Sequence, residues 1–201
     1  MSHRVVLASH NPHKVEEVRR ILLPFSDVEL VAAPDMGVVE TGETFADNAL
    51  LKAQAAASAT GLPAIADDSG LCVDALNGMP GVLSARWSGR HGDDRTNLEL
   101  LLDQLADVPD ERRGAAFVCA AVLVVPDSQP RAVEGRVDGT VTRAPRGDGG
   151  FGYDPIFVPH GETRTTAELS AEEKDALSHR GRSFRALAPL LDEALSQTRS
   201  G

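Results

Sequence analysis

Residues 5–22, VVLASHNPHKVEEVRRIL, contain the pattern that decides the fold. The stretch opens with a short apolar run at 5–8 and continues, after the turn SHNPHK, into apolar residues at helical spacing. Those residues are Val15, Val18, Ile21 and Leu22. Pro12 suits the first helical turn, where its missing N–H is no loss, and either Asn11 or Ser9 is expected to cap the helix. The stretch therefore predicts a strand, a turn and a helix.

The next part of the chain repeats this alternation. A strand at 28–32 precedes a helix that begins after Thr44 and ends near Gly61. A short buried strand at 63–66 then runs directly into the letters DDSG.

The second half of the chain adds strands and then helices. A helix is predicted from about Asp93, and residues 115–125 are almost all apolar, which is typical of a central strand. Residues 132–137 alternate and predict a strand with one wet face, followed by a turn at 138–139. Ser170 and Glu173 form a capping box at the start of a helical region. This order predicts a mixed α/β sheet flanked by helices, in a single domain spanning residues 1–201.

Composition excludes several classes of protein. The chain has 201 residues, 42% hydrophobic and 25% charged, with a formal net charge of −10, which is typical of an ordinary soluble globular protein. Its longest apolar run is far short of the roughly 20 residues that a membrane helix needs. The N-terminal apolar stretch is too short for a signal peptide, so we expect a cytoplasmic protein that contacts no membrane.

The charge balance argues against a nucleic acid partner, and the cysteine spacing argues against a redox or zinc site. No basic run is present to neutralise the phosphates of a nucleic acid polymer, although a small anionic ligand stays open. Cys72 and Cys119 lack the spacing of a redox or zinc site and are expected in the core.

The turn at 9–14 is the first candidate for chemistry. A loop between a strand and a helix presents free backbone N–H groups at the positive end of the helix, and Lys14 adds a point charge. This arrangement favours a phosphate, but an ordinary turn has the same appearance.

Acidic residues form the second candidate. Asp67 and Asp68 follow a buried strand, and the period of two sends them to opposite faces. Paired carboxylates beside a core favour a hard cation or a general base over a simple turn. Glu40, Glu43 and Lys52 lie upstream, where they are either part of the same site or solvated charges.

Two further segments could contact a base. The loop GDGGFGYDPIF at 147–157 contains Phe151 and Tyr153, either of which could present a flat face to a nucleobase or fold back onto the core. Lys174 and the letters SHRG at 178–181 follow. An arginine there suits the O6 and N7 acceptors of a purine, although basic residues at a helix end have the same pattern.

The joint order of these motifs closely resembles the inosine/xanthosine triphosphate pyrophosphatase family over essentially the whole chain. The matching stretches are SHNPHK, ETGETFADNALLKA, PAIADDSGLCVDALNGMPG, SARWSG, GGFGYDPIF and LSAEEKDALSHRG. The resemblance implies an elongated mixed sheet with two lobes and a central cleft. It also implies a Mg²⁺-dependent homodimer that hydrolyses dITP, ITP and XTP to the monophosphate and pyrophosphate, keeping these nucleotides out of DNA and RNA.

The resemblance also implies a role for each matching residue. Asp68 matches the proton acceptor and a metal ligand, Glu40 is expected as the second metal ligand with Glu43 as the alternative, and Asp67 is a supporting carboxylate. The residues matching substrate contacts are Ser9, His10, Asn11, Pro12, His13, Lys14, Lys52, Ser69, Phe151, Gly152, Tyr153, Asp154, Lys174, His179 and Arg180. At position 10 many members have glycine, whereas this chain has histidine.

Hydrolysis requires water to attack the α-phosphorus while pyrophosphate leaves, so positive charge must neutralise the leaving group. Two other functions fit parts of the pattern. One is a protein that binds purine nucleotides without hydrolysing them, and the Asp67–Asp68 pair argues against it. The other is a pyrophosphatase for modified pyrimidine or methylated nucleotides, and the letters SHRG and GFGYD favour the purine substrate by resemblance.

Overall fold

The computed structural model describes residues 3–25 and 27–197. Its helices and strands are β1 (His3–Leu7), α1 (Pro12–Leu22), β2 (Val28–Ala32), α2 (Phe45–Thr60), β3 (Ala64–Val73), α3 (Asp94–Gln104), β4 (Gly114–Val124), β5 (Arg131–Val141), β6 (Phe157–Pro159), α4 (Ala171–Leu177) and α5 (His179–Gln197). Within these described ranges, no helix has both the length and the apolarity of a membrane span.

The strands form one six-stranded sheet in the order β2-β1-β3-β4-β5-β6. β1 runs parallel to both β2 and β3, whereas β5 and β6 are antiparallel. The sheet is therefore mixed and has flanking helices, as predicted. β4 is nearly all buried, which agrees with its apolar sequence, and β5 alternates between buried and exposed positions along its second half.

The predicted helix ends are confirmed by their capping bonds. The Asn11 side chain, and not that of Ser9, caps α1 by accepting from the backbone N–H groups of His13 and Lys14. Thr44 forms a capping box at α2, which ends at Gly61 with a positive φ of 67°. The capping box of Ser170 and Glu173 begins α4.

Two predicted boundaries are wrong. β3 does not stop before DDSG but continues through both aspartates to Val73, because charged side chains on neighbouring helices compensate the carboxylates within the strand. The predicted turn at 138–139 lies inside β5. A Cβ at Gly139 would collide with the Val158 carbonyl of β6, so this glycine permits close strand pairing instead of a turn.

The chain divides into two compact units. Unit 1 consists of the described residues within Met1–Asp68, Cys119–Gly135 and Arg180–Gly201, and unit 2 consists of Ser69–Val118 and Arg136–His179. The predicted single domain over 1–201 stays a prediction, and its residues 1–2, 26 and 198–201 lie outside the described part.

Each unit has its own apolar interior. In unit 1, alternate residues of β1 and β3 separate into two clusters. Val5, Leu7 and Ile65 pack with α1 and α5, whereas Val6, Ala64 and Ala66 pack with α2. In unit 2, residues of β3, α3 and β4 pack with the segment that contains Tyr153 and Phe157.

Candidate active site

The alternation of β3 separates the two aspartates of unit 1. Asp67 continues the odd-numbered series and contacts residues of α1 and α5, whereas Asp68 continues the even-numbered series and contacts residues of α2. The prediction that the pair points to opposite faces is therefore confirmed. Each carboxylate has its own electrostatic surroundings.

Asp68 lies against two polar residues of α2. Its Oδ2 accepts from the Asn48 amide at 3.2 Å, and its Oδ1 is 3.5 Å from the Lys52 ammonium. Burial raises the pKa of Asp68 above its usual value, although Lys52 and Lys14 oppose that rise. A carboxylate with a raised pKa accepts a proton more readily at neutral pH.

Lys52 also joins Asp68 to the loop before α2. Its ammonium donates to Glu40 Oε1 at 2.8 Å, while Glu43 is exposed to solvent. Burial alone would lower the pKa of Lys52, but Asp68, Asp67 and Glu40 together raise it, so the ammonium stays charged. The geometry favours Glu40 over Glu43 as the partner of Asp68.

Asp67 is fully buried between two cations. Its Oδ2 is 3.4 Å from the Lys14 ammonium and accepts from Arg180 Nε and Nη2 at 3.2 Å each. Burial would raise the pKa of Asp67, but Lys14, Arg180 and Lys52 hold it well below its usual range. Asp67 is therefore ionised at neutral pH.

Residues 9–11 precede α1, and Pro12, His13 and Lys14 form its first turn. His10 and His13 are exposed and Ser9 is half-buried. In this structure Asn11 Oδ1 accepts from the N–H groups of His13 at 3.0 Å and Lys14 at 3.3 Å. An anion at the helix end would compete with the Asn11 side chain for these two donors.

The donor set suits a hard divalent cation. Glu40 and Asp68 both contact the Lys52 ammonium, so one small region brings two carboxylates together. Among residues 3–25 and 27–197, no group of three or more histidine, cysteine, aspartate or glutamate side chains is placed to hold a metal. Mg²⁺ is commonly bound through one or two carboxylates plus water and substrate phosphates, which fits this pair.

Unit 2 contains a separate cluster centred on Asp154. This buried carboxylate accepts from the Phe151 N–H at 2.8 Å and the Lys174 ammonium at 2.6 Å through Oδ2, and from the Thr166 hydroxyl at 2.8 Å through Oδ1. Gly150 has a φ of +72°, and a Cβ there would collide with Asp154. Asp154 therefore fixes the glycine-rich loop.

The two aromatic residues of this loop have different surroundings. Phe151 is half-buried, and the Lys174 ammonium lies 4.8 Å from its ring centroid. Tyr153 is only 4% exposed, belongs to the core of unit 2 and donates its hydroxyl to the Ser84 carbonyl at 2.9 Å. Tyr153 therefore folds back onto the core and does not present an open ring. Of the two aromatic residues, Phe151 is the better candidate for contact with a nucleobase.

The remaining predicted residues are distributed over both units. Gly152 donates its N–H to Asp94 in unit 2, and the His179 ring stacks on Phe117 with centroids 4.7 Å apart. Ser69 follows Asp68 in β3 and is half-buried. Arg180 is 1% exposed and its guanidinium contacts Asp67 and Glu17, so contact with a base stays a prediction.

Several residues that contact the candidate site residues were given no role by the sequence analysis. They are Glu17, Asn48, Asp94, Phe117 and Thr166. Only Asn48 and Glu17 had a usable signal, since each is a polar residue on the apolar face of a helix.

A mixed sheet with two carboxylates and two lysines in one unit defines an α/β enzyme suited to phosphate chemistry. The model of the Ham1 family matches residues 5–190, and the chain belongs to that family.

Individual relatives match nearly the whole chain. A dITP/XTP pyrophosphatase of Streptomyces coelicolor is 61% identical over 197 residues, covering 96% of this chain and 98% of the relative. The crystal structure of the nucleoside-triphosphatase, or dITP/XTP pyrophosphatase, of Mycobacterium abscessus is 59% identical, with a TM-score of 0.76 over 94% of this chain and 98% of that one. A HAM1 protein from Coxiella burnetii is 41% identical, with a TM-score of 0.85 over 96% and 100% of the two chains.

Proposed function

We propose that this protein is a nucleoside triphosphate pyrophosphatase that hydrolyses dITP, ITP and XTP to the monophosphate and pyrophosphate. The observation that carries the proposal is the contact of Lys52 with both Glu40 and Asp68, with Lys14 beside the adjacent Asp67. The names of the 59–61% identical relatives support the substrate class.

Glu40 and Asp68 are the residues that would hold Mg²⁺. A bound Mg²⁺ supplies charge neutralisation at the phosphates and lowers the pKa of a bound water. The two carboxylates are available for this role only if the Lys52 ammonium moves off them, and the phosphates of the substrate offer it a new partner.

The lysines and Asp68 have complementary tasks in the reaction. Lys14 and Lys52 neutralise the charge that builds up on pyrophosphate as it leaves. Asp68 accepts the proton of the attacking water, a role that its burial and raised pKa support. The Asn48 amide holds the Asp68 carboxylate while this happens.

Recognition of the base is proposed for the cluster of unit 2. Phe151 supplies a flat face, and Lys174 and His179 supply donors. A donor aimed at O6 favours a 6-oxopurine, because adenine places an N–H₂ group there and leaves the donor unpaired. Arg180 is a further donor of this kind only if it is released from Asp67 or Glu17.

The test is pyrophosphate release from ITP, dITP, XTP, ATP, GTP and dUTP, with Mg²⁺ and with a chelator. We expect release that requires the metal and strongly prefers ITP, dITP and XTP. Binding of ITP without hydrolysis of any nucleotide would replace the proposal with a nucleotide-binding protein. A preference for dUTP would replace the purine substrate class.

We also infer a cytoplasmic homodimer, since the substrates belong to the nucleotide pool and the resemblance implies a dimer. Light scattering coupled to gel filtration tests the oligomeric state, and a monomeric mass would contradict it.

A further inference from the structure

Glu17 is a buried acid on α1, the helix whose first turn contains Lys14. It lies one turn after Lys14 in α1, on the same face as Val18 and Ile21, and is only 5% exposed. A buried carboxylate on an apolar helix face is costly unless it is paired. Glu17 therefore has a partner that compensates its charge.

That partner is Arg180, at the start of α5. Arg180 Nη1 donates to Glu17 Oε2 at 2.5 Å, and its Nε and Nη2 donate to Asp67. The Lys14 ammonium approaches the same oxygen of Asp67 at 3.4 Å. The contacts thus run from Lys14 through Asp67 and Arg180 to Glu17, and they begin and end on α1.

This network of four residues is balanced and almost closed to solvent. It contains two cations and two anions, and Glu17, Asp67 and Arg180 are at most 5% exposed. Within the described part of the chain, Asp67 Oδ1 has no hydrogen-bond partner, so the position of this carboxylate depends on its Oδ2 contacts. Loss of the Glu17 charge would leave Arg180 with an unbalanced positive charge beside Asp67.

We propose that Glu17 is a positioning residue for the hydrolysis, acting through Arg180 and Asp67 to hold the Lys14 ammonium beside Asp67. Glu17 does not touch substrate in this role. It fixes Arg180, which orients Asp67, which in turn holds Lys14 in the first turn of α1, where the triphosphate is expected. This inference rests on the proposed function.

A double-mutant cycle separates positioning from general stability. Glu17→Gln is made in the wild-type chain and in a Lys14→Met background, and kcat/KM for ITP is measured from pyrophosphate release. The control is Glu16→Gln, which removes the same charge from the exposed neighbouring position. Circular dichroism and thermal unfolding establish that each variant is folded.

We expect Glu17→Gln to lower kcat/KM at least tenfold in the wild-type chain and less than twofold once Lys14 is gone. Glu16→Gln should change it less than twofold in both. If Glu17→Gln does not fold, Glu17→Asp, which keeps the charge but shortens the side chain, enters the same cycle and should show a smaller loss that also depends on Lys14.

Two results would overturn the role of Glu17 and leave the proposed function standing. One is an equal loss in both backgrounds, which indicates a purely structural effect. The other is wild-type kcat/KM in a folded Glu17→Gln protein. A wild-type protein that hydrolyses none of the nucleotides would instead remove the proposed function and the inference together.

Discussion

Lys52 occupies the position where a divalent cation would meet Glu40 and Asp68. Its ammonium is 2.8 Å from one carboxylate and 3.5 Å from the other. A metal that binds without nucleotide must displace or approach this positive charge. We therefore predict that Lys52→Met increases the affinity of the nucleotide-free protein for Mn²⁺, used as a probe for Mg²⁺.

The size of the effect follows from the charges. An ammonium and a divalent cation about 4 Å apart repel each other by about 8 kcal/mol at an effective dielectric constant of about 20. The Lys52 side chain is 16% exposed, so solvent screening and movement of the side chain reduce that figure. We expect at least a tenfold decrease in Kd, which corresponds to about 1.4 kcal/mol.

Titration of Mn²⁺ followed by electron paramagnetic resonance measures this Kd directly. Lys14→Met is the matched control, because it removes the same charge from the same unit but from beside Asp67. It should change the Kd less than Lys52→Met does. Unchanged or weaker Mn²⁺ binding by folded Lys52→Met would refute the idea that Lys52 competes with the metal.

Three further predictions concern the two aspartates and the glycine-rich loop. Asp68→Asn should lower kcat by about 10²- to 10⁴-fold with an unchanged circular dichroism spectrum, as expected for loss of a proton acceptor, and near wild-type turnover would exclude that role. The pKa of Asp67 is lower in the folded protein than in the unfolded chain, where it is about 3.9, so the ionised carboxylate stabilises the fold at neutral pH. This contribution is lost progressively as the pH falls below about 4. The difference in urea stability between wild type and Asp67→Asn should therefore shrink from pH 7 to pH 3, and a constant difference would contradict it. Gly150→Ala should lose more stability than Gly152→Ala: both glycines have positive φ, which costs alanine about 1–2 kcal/mol, but only at Gly150 would the Cβ collide with Asp154. Equal urea midpoints would show that the collision is relieved without cost.

Local patterns were sufficient for most of the fold. The cap at Asn11, the capping box at Thr44 and the apolar β4 each depend on residues close in sequence, so they could be predicted. The end of β3 could not be predicted in this way. Two adjacent aspartates normally indicate the end of a strand. Here Lys52 of α2 and Lys14 and Arg180 of α1 and α5 compensate their charges, so the strand continues through them.

The same distinction explains which site residues sequence reasoning could assign. Alternation along β3 correctly separates Asp67 from Asp68, because it is a local property of a strand. The partners of Asp67 are not local: Arg180 is 113 positions away, and the Arg180–Glu17 bond spans 163 positions. A motif such as SHRG suggests an arginine that donates to a ligand, yet the guanidinium can equally donate to buried carboxylates that are distant in sequence. In this structure Arg180 donates to Asp67 and Glu17. Any contact between Arg180 and a purine therefore requires an N–H group that these two carboxylates leave available or release when the substrate binds.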